Sequence, residues 1–322
     1  MQDYIQHDEA ASYLYTLINS TAKHPELGVD GIKTLQLFAG VLIEFTLLMD
    51  CPDRALTAFF DDLSQTLMCE PDDSINLINR IPPAHMIDEV SEQGRALFRD
   101  NIECWPACLS QIKQLLLDTL HFQISIFEQY GYAKEETFRI IVDLSYKCMA
   151  YEFAAQELCD LAIERKIGLD GWSLGDCISG LSGAAGQRAA WLDETNLFDS
   201  RGTINPLEFE KNLDYTVSVM TQEAVRLGIP AGTDWRFGLA ANDVEINAPV
   251  ELVYGVEEFC LPLFQIIKLT EINDQAVACA KAAGRMLAVA SSGEMPDMPP
   301  IISKPLAVAA MTETFKSAFV GR

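Results

Sequence analysis

The sequence predicts an all-α protein, a multi-helix bundle of one large domain or two packed helical subdomains, with at most one small β-hairpin. Apolar residues recur at three- and four-residue steps in most segments of the chain, which is the period of a helix with a buried face. Proline, glycine and capping residues mark the ends of these segments. Alternation with a period of two, typical of a half-buried strand, occurs in one short stretch.

The size of the chain bears on its domain organisation. Its 322 residues are 49% hydrophobic, which excludes a predominantly disordered chain, and they exceed the length at which a single core usually stops growing. A glycine-rich break begins at residue 168 and a weakly periodic one at residue 228. We therefore expect an acidic helical subdomain over 1–167 and a second over 168–322, which contains a glycine-rich helix and a long irregular loop. A single domain is the alternative.

Six helices are predicted in the first subdomain. In the fifth, Pro106 occupies the first helical position and Gly131 ends the helix. The sixth carries a heptad of apolar residues from Ile141 to Ala162, which favours a hairpin with the fifth over self-association. The first four helices are expected near residues 8–20, 31–50, 53–69 and 84–101.

The second subdomain begins with the glycine-rich helix, whose start is predicted by Ser173 and Asp176 in the spacing of a capping box. Small residues in this helix, such as Gly183, indicate close contact with a neighbouring helix. Valine, isoleucine and leucine at positions 244–252 alternate with polar residues and predict the hairpin. Further helices are expected over 206–227, 271–291 and 305–320, the last two separated by a loop.

Charge restricts the classes of partner. The net charge is −24 at pH 7, and such a field repels phosphate backbones and anionic membrane surfaces. We therefore expect a protein partner with a neutral or basic surface, no direct nucleic-acid binding and no membrane association. The sequence makes no prediction of oligomeric state.

Signals for export, membrane insertion and metal binding are weak. The first basic residue is Lys23, and no stretch of about 20 mainly apolar residues occurs, so we expect a cytoplasmic protein. Nine cysteines in such a chain are expected to be reduced. The four histidines and the cysteines show no zinc-ligand spacing. No metal and no cofactor is expected.

Two cysteines and one glutamate are candidates for chemistry. Cys108, four residues after Cys104, would lie in the first turn of a helix begun by Pro106, where amide groups favour a thiolate. The spacing is longer than that of redox Cys-x-x-Cys motifs, so buried, inert thiols are favoured, and their reactivity stays open. Glu44 lies in an apolar run and is interpreted as the polar edge of a mostly buried helix.

The binding candidates are Asp234, Trp235 and Arg236, in the longest segment without helical periodicity, and Arg188, which ends the glycine-rich helix. Tryptophan and arginine dominate binding hot spots, and long loops in compact domains are usually functional. The alternative is structural: Trp235 and Phe237 would anchor the loop on the core, and Arg236 would pair with a local acidic residue. No catalytic residue is identified.

These observations favour a helical interaction or regulatory protein, such as an adaptor, inhibitor or chaperone, with an acidic surface. The alternative is an enzyme or small-ligand-binding protein with a pocket between the two helical halves. A weaker alternative is an acidic mimic of nucleic acid.

Overall fold

The computed structural model describes residues 29–68, 84–167, 171–191, 206–231, 248–292 and 298–320. All regular secondary structure in these ranges is helical, and none of it is strand, so the predicted all-α class is confirmed. The chain divides into two compact units, Met1–Met149 and Ala150–Arg322. This division falls inside a long helix, and whether the predicted subdomains fold independently stays a prediction.

In its described residues, the first unit contains four helices and the first part of a fifth. A 3₁₀ turn, Ile102–Cys104, precedes the fourth helix. The predicted helix over 8–20 lies outside the described residues. The bounds are α1 (Val29–Thr46), α2 (Pro52–Leu67), α3 (Ala84–Asp100), α4 (Leu109–Gln129) and α5 (Lys134–Ile167).

Helices α1 and α3 cross with their backbones in direct contact. A β-carbon added to Gly40 would lie 1.9 Å from the carbonyl oxygen of Ser91, and one added to Gly94 would lie 2.0 Å from that of Leu37. Real β-carbons do not approach so closely, so only glycine fits at either position. These two reciprocal contacts fix where the helices cross.

Apolar stripes on α2 and α5 form much of the core of the first unit. Five residues of α2 are buried along one face, as their helical spacing predicts: Leu56, Phe59, Phe60, Leu63 and Leu67. The Phe60 ring meets Phe138 of α5 edge to face, with centroids 6.2 Å apart. The seven predicted heptad positions of α5 are also buried, the first three in the core of the first unit and the last four in that of the second: Ile141, Leu144, Cys148, Tyr151, Ala155, Leu158 and Ala162.

The start of α4 differs from the prediction. The helix begins at Leu109, three residues after Pro106, and Cys108 occupies its N-cap position. The intervening residues follow the 3₁₀ turn, where Trp105 is buried with its ring 4.6 Å from that of Phe98. Burial of this indole holds the chain in a non-helical conformation through Pro106.

Five helices and the remainder of α5 make up the described part of the second unit. Helix α6 is central, since it packs against all four of the others and almost all of its residues are buried. The bounds are α6 (Leu174–Ala190), α7 (Pro206–Arg226), α8 (Pro249–Ile266), α9 (Ile272–Ser291) and α10 (Pro300–Val320).

Glycines allow the close packing of α6. The predicted capping box is present: the Ser173 hydroxyl accepts from the Asp176 backbone N–H, and the Asp176 carboxylate accepts from that of Ser173. A β-carbon at Gly186 would lie 2.1 Å from the Met311 carbonyl oxygen of α10, and one at Gly183 would lie 2.8 Å from a methyl carbon of Val253 on α8. The predicted close helix contact is therefore confirmed at Gly183, and Gly186 makes a second one that the sequence did not predict.

Two predictions for the second unit were wrong. Residues 250–252, read as half of a hairpin, lie in the first turn of α8, where Pro249 supplies a helix-compatible φ angle at the first position. Residues 300–304, read as loop, are the first residues of α10, which also starts with a proline and contains Pro305 in its second turn. No described helix is long and apolar enough to span a bilayer.

Candidate functional site

The structure describes one of the four predicted binding residues. Asp234, Trp235 and Arg236 lie outside the described residues, so their binding role stays a prediction. Arg188 lies in the last turn of α6, with its side chain 1% exposed. Its environment can therefore be described in full.

The Arg188 guanidinium is held inside the second unit. Its two terminal nitrogens donate to the two carboxylate oxygens of Glu257 at 2.6 and 3.0 Å, and Nε donates to Gln275 Oε1 at 3.2 Å. The guanidinium carbon also lies 5.3 Å from the centroid of Phe264. Such a bidentate pair compensates for the burial of the cation. Arg188 thus ties α6 to α8 and α9.

Two thiols adjoin this cation. Cys260 lies one turn from Glu257 on α8, and Cys279 lies one turn from Gln275 on α9. Burial raises the pKa of Cys260, and the hydrogen bond that its S–H donates to Cys279 raises it further. Burial would raise the pKa of Cys279 as well, but the hydrogen bond from Cys260 and the Arg188 charge outweigh it and lower the pKa. Both thiols are buried, which separates them from solvent reagents.

A second ionic cluster joins α5, α7 and α9. Its five members are Glu152, Glu223, Arg226, Lys281 and Arg285. The fully buried Glu223 carboxylate accepts from Arg226 and from Arg285 Nε, the latter at 2.9 Å. Arg285 also donates to Glu152, and Lys281 Nζ lies 3.6 Å from a Glu152 oxygen. We call these five residues the buried charge cluster.

Sequence reasoning missed this cluster. Lys281 and Arg285 stand next to the small-residue face of α9, a position that is equally compatible with solvent. Glu152 directly follows the heptad residue Tyr151, and this acidic residue beside a core position was a usable signal. Its cationic partners could not be identified, because Arg285 is 133 positions away in the sequence.

A third ionic cluster holds α1 to α3 in the first unit. One oxygen of Glu44 accepts from Arg95 Nε and from Arg99 Nη1, both at 2.7 Å. Arg95 also donates to Glu92 at 2.8 Å. Glu44 is 8% exposed, so its interpretation as a polar edge was wrong. The polar stripe of α1 faces α3, where two arginines compensate for its charge.

In these clusters basic side chains are buried beside acidic partners. The exposed charged side chains of the described residues are therefore mostly acidic. Among the described side chains, four basic ones are exposed: Arg54, Lys211, Lys268 and Lys316. Sixteen acidic side chains are exposed, in both units: Asp50, Asp53, Asp61, Asp100, Glu103, Asp118, Glu128, Glu135, Asp143, Asp160, Glu164, Asp214, Glu251, Glu258, Glu271 and Glu313. Among the described residues, the ratio of acidic to basic side chains is therefore higher at the surface than in the sequence as a whole.

Cys108 is exposed, contrary to the predicted buried thiol. The Ser110 hydroxyl lies 2.8 Å from its sulfur, and this hydrogen bond, together with the backbone N–H groups of Ser110 and Gln111, lowers the pKa of Cys108. The Cys104 side chain lies outside the described part of the structure. Within the described residues, no group of three or more histidine, cysteine or acidic side chains could hold a metal ion.

Comparisons with known proteins give no match: no family model, no curated protein and no solved structure matches the chain.

Proposed function

We propose that this is a non-catalytic interaction or regulatory protein, of the adaptor, inhibitor or chaperone type, whose acidic exterior meets a neutral or basic surface on another protein. The observation that supports this proposal is the inward pairing of arginine and lysine described above. A surface with few exposed cations produces a long-range negative field, which increases the rate of encounter with basic partners and repels nucleic acid.

The alternative, a ligand pocket lined by the glycine-rich segment, has weaker support. Gly180, Gly183 and Gly186 of α6 face neighbouring helices at distances that leave no room for a β-carbon, and the Arg188 donors are engaged by Glu257, Gln275 and the Ala184 carbonyl. A ligand would have to displace these contacts. The exposed thiols Cys51 and Cys108 are compatible with the reducing cytoplasm, where we propose that the protein acts.

Co-purification with a salt gradient tests the proposal. Tagged protein is recovered at low ionic strength and its bound partners are eluted in steps of rising NaCl, with native mass spectrometry of each fraction. We expect a protein partner of basic or neutral surface, released progressively as salt screens the acidic exterior. A small molecule that stays bound at every salt concentration would contradict the proposal and favour the ligand-binding alternative.

Competition with duplex DNA tests the nucleic-acid mimic. If the protein were a mimic, DNA would displace the partner completely, because both would occupy the same basic surface. We expect an interaction or regulatory protein of the proposed kind to retain its partner in an excess of DNA at constant ionic strength.

A further inference from the structure

On the side opposite its core face, helix α8 presents to solvent an apolar stripe that is interrupted by the exposed Glu258 and Gln265. Tyr254 is 70% exposed, Leu261 49% and Ile266 77%, and Pro262 is exposed between the last two. The residues on the core face of the same helix are buried: Leu252, Val253, Val256, Cys260, Leu263 and Phe264. Single exposed apolar residues are ordinary, whereas several on one helical face mark an interaction surface.

An indole adjoins this stripe. A β-carbon at Gly255 would lie 2.6 Å from Cζ2 of Trp172, so the absence of a side chain at Gly255 lets the half-buried ring lie directly on α8. Gly255 neighbours Tyr254 in the chain. Tryptophan and tyrosine are the residue types most enriched at binding hot spots.

Acidic side chains flank the apolar residues. Glu251 and Glu258 are exposed on the same face of α8, one turn on the N-terminal side of Tyr254 and of Leu261 respectively. Glu258 accepts from Arg165 of α5 at 2.9 Å, and its side chain is still 65% exposed. Glu164, also exposed, directly precedes Arg165 on α5. Within α8 itself the exposed charged side chains are the carboxylates of Glu251 and Glu258, and the exposed Lys268 follows the end of the helix by two residues.

Pro262 leaves one backbone hydrogen bond of α8 unmade. Proline has no N–H, so it cannot donate the helical hydrogen bond to the carbonyl of Glu258, four residues earlier. The exposed carboxylate of Glu258 can accept from a cationic side chain of a partner, and lysine and arginine carry the matching donors.

We propose that this outer face of α8, defined by Glu251, Tyr254, Glu258, Leu261, Pro262 and Ile266, is the docking surface for a basic amphipathic helix of a partner protein. The inference rests on the proposed function and specifies its surface and partner. Tyr254 and Leu261 are seven residues apart, which is two helical turns and the repeat with which two helices pack side by side. The 18 residues of α8 span about 27 Å, enough for a partner helix of similar length.

Charge complementarity selects this occupant over a second copy of the chain. Two copies meeting through this face would bring Glu251 and Glu258 of each near the same groups of the other. Like charges placed opposite each other across an interface oppose association. Lysine or arginine beside the apolar positions of a partner helix would instead pair with these carboxylates.

Binding of designed peptides tests the proposal. The probe is a fluorescein-labelled peptide of about 18 residues, with leucine at the a and d positions of a heptad and lysine elsewhere, compared with its lysine-to-glutamate counterpart and a scrambled lysine peptide. We expect the basic amphipathic peptide alone to bind at low salt. The double variant Tyr254→Ser, Leu261→Ser should weaken its binding about tenfold or more.

Matched controls keep the outcomes distinct. Val289→Ser with Ile301→Ser removes two equally exposed apolar residues from α9 and α10 of the same unit and should leave the affinity unchanged, and circular dichroism melting checks that each variant folds. Binding that is equal in both double variants, or equal for the scrambled peptide, would overturn the α8 surface and leave the acidic-exterior function supported. No binding of any peptide would also overturn it, while the co-purification experiment decides the function separately. Concentration-dependent dimers of the wild type that disappear in Tyr254→Ser, Leu261→Ser would assign the face to a second copy.

Discussion

Cys108 shows how the chemistry of one side chain follows from its position at the start of a helix. Its sulfur accepts hydrogen bonds from the Ser110 hydroxyl and from backbone N–H groups of the first turn of α4. These donors stabilise the thiolate, so we expect iodoacetamide to modify Cys108 in the folded protein faster than Cys51, the other exposed thiol among the described residues. Peptide mass spectrometry after short labelling times at neutral pH measures both rates.

The variant Ser110→Ala isolates the contribution of the hydroxyl. It should slow the labelling of Cys108 and leave that of Cys51 unchanged. Cys159 is an internal reference, because burial raises its pKa to about 12 and it should stay unmodified until the protein unfolds. Identical Cys108 rates in wild type and Ser110→Ala would contradict this account.

Lys304 provides a pH-dependent prediction. It is buried in α10, where its ammonium donates to the Pro230 carbonyl at 3.3 Å, and burial lowers its pKa from 10.5 to about 8. Below pH 8 both states are protonated and the penalty of burying the charge is fully present. Between pH 8 and 10.5 the unfolded state binds more protons at this group than the folded state does. The contribution of Lys304 to the free energy of unfolding therefore rises with pH.

Lys304→Met tests this linkage. Urea denaturation of wild type and variant at intervals from pH 7 to 10.5 gives the difference in unfolding free energy. Other groups, including the thiols, titrate in both proteins and cancel in the difference. We expect the wild type to gain stability relative to the variant across this window, and a difference that does not change with pH would show that Lys304 is not perturbed.

At the scale of elements, the buried charge cluster fastens α7 to α5 and α9. Glu223 supplies one of its two carboxylates, against three cations. Glu223→Gln removes that charge and leaves Glu152 to compensate Arg226, Lys281 and Arg285. Breaking a buried pair in this way typically costs about 3–5 kcal/mol. We expect a loss of that size in chemical denaturation, whereas the exposed Glu313→Gln should change stability little. Equal stabilities of the two variants would show that the cluster is already hydrated.

The contact of α9 with α7 supports a second prediction at this scale. A β-carbon at Gly284 would lie 2.5 Å from the Met220 carbonyl oxygen, so Gly284→Leu must push the helices apart. Overpacking costs about 1–3 kcal/mol or more. Val289→Leu, at an exposed position of the same helix, is the matched control and should keep the wild-type melting temperature. Lys281→Leu is not a neutral control, because Lys281 belongs to the buried charge cluster. A Gly284→Leu melting temperature equal to that of the control would contradict the close contact.

Elements with strong local signals were predictable. Helix α6 has a capping box at its start, and α2 has an uninterrupted apolar stripe, so both were identified from spacing alone. Helix α8 was missed, because Gly255, Pro262 and its valines weaken the local helical signal. Its helical state is stabilised by burial of Val253 and Val256 against α6, which a single sequence does not reveal.

At the scale of the whole molecule, net charge governs the response to salt. A net charge of −24 with few exposed cations produces self-repulsion, which salt screens over a Debye length of about 10 Å at 0.1 M. We expect the melting temperature to rise as NaCl is added from low ionic strength to the physiological range. Scanning fluorimetry across this series measures it, and a melting temperature that falls would mean that the ion pairs outweigh the surface repulsion.

The acidic character of the candidate surface was predictable, but its arrangement was not. Composition gives the sum of charges, whereas exposure depends on which cations find internal partners, and Arg188 and Glu257 are 69 positions apart. The same limit applies to the docking face of α8, whose exposed side follows from the packing of the opposite side. The binding role predicted for Trp235 and Arg236 stays a prediction.

The reciprocal contact of Gly40 and Gly94 also limits how the sequence can diverge. A larger residue at either position separates α1 from α3, so almost every substitution at these two sites should be destabilising. Substitutions at exposed neighbours such as Gln93 should have little effect. The two glycines are thus under one shared selective pressure. A remote relative should keep a glycine at both sites after most of the surrounding helix has changed, and that pair would be a durable sign of common ancestry.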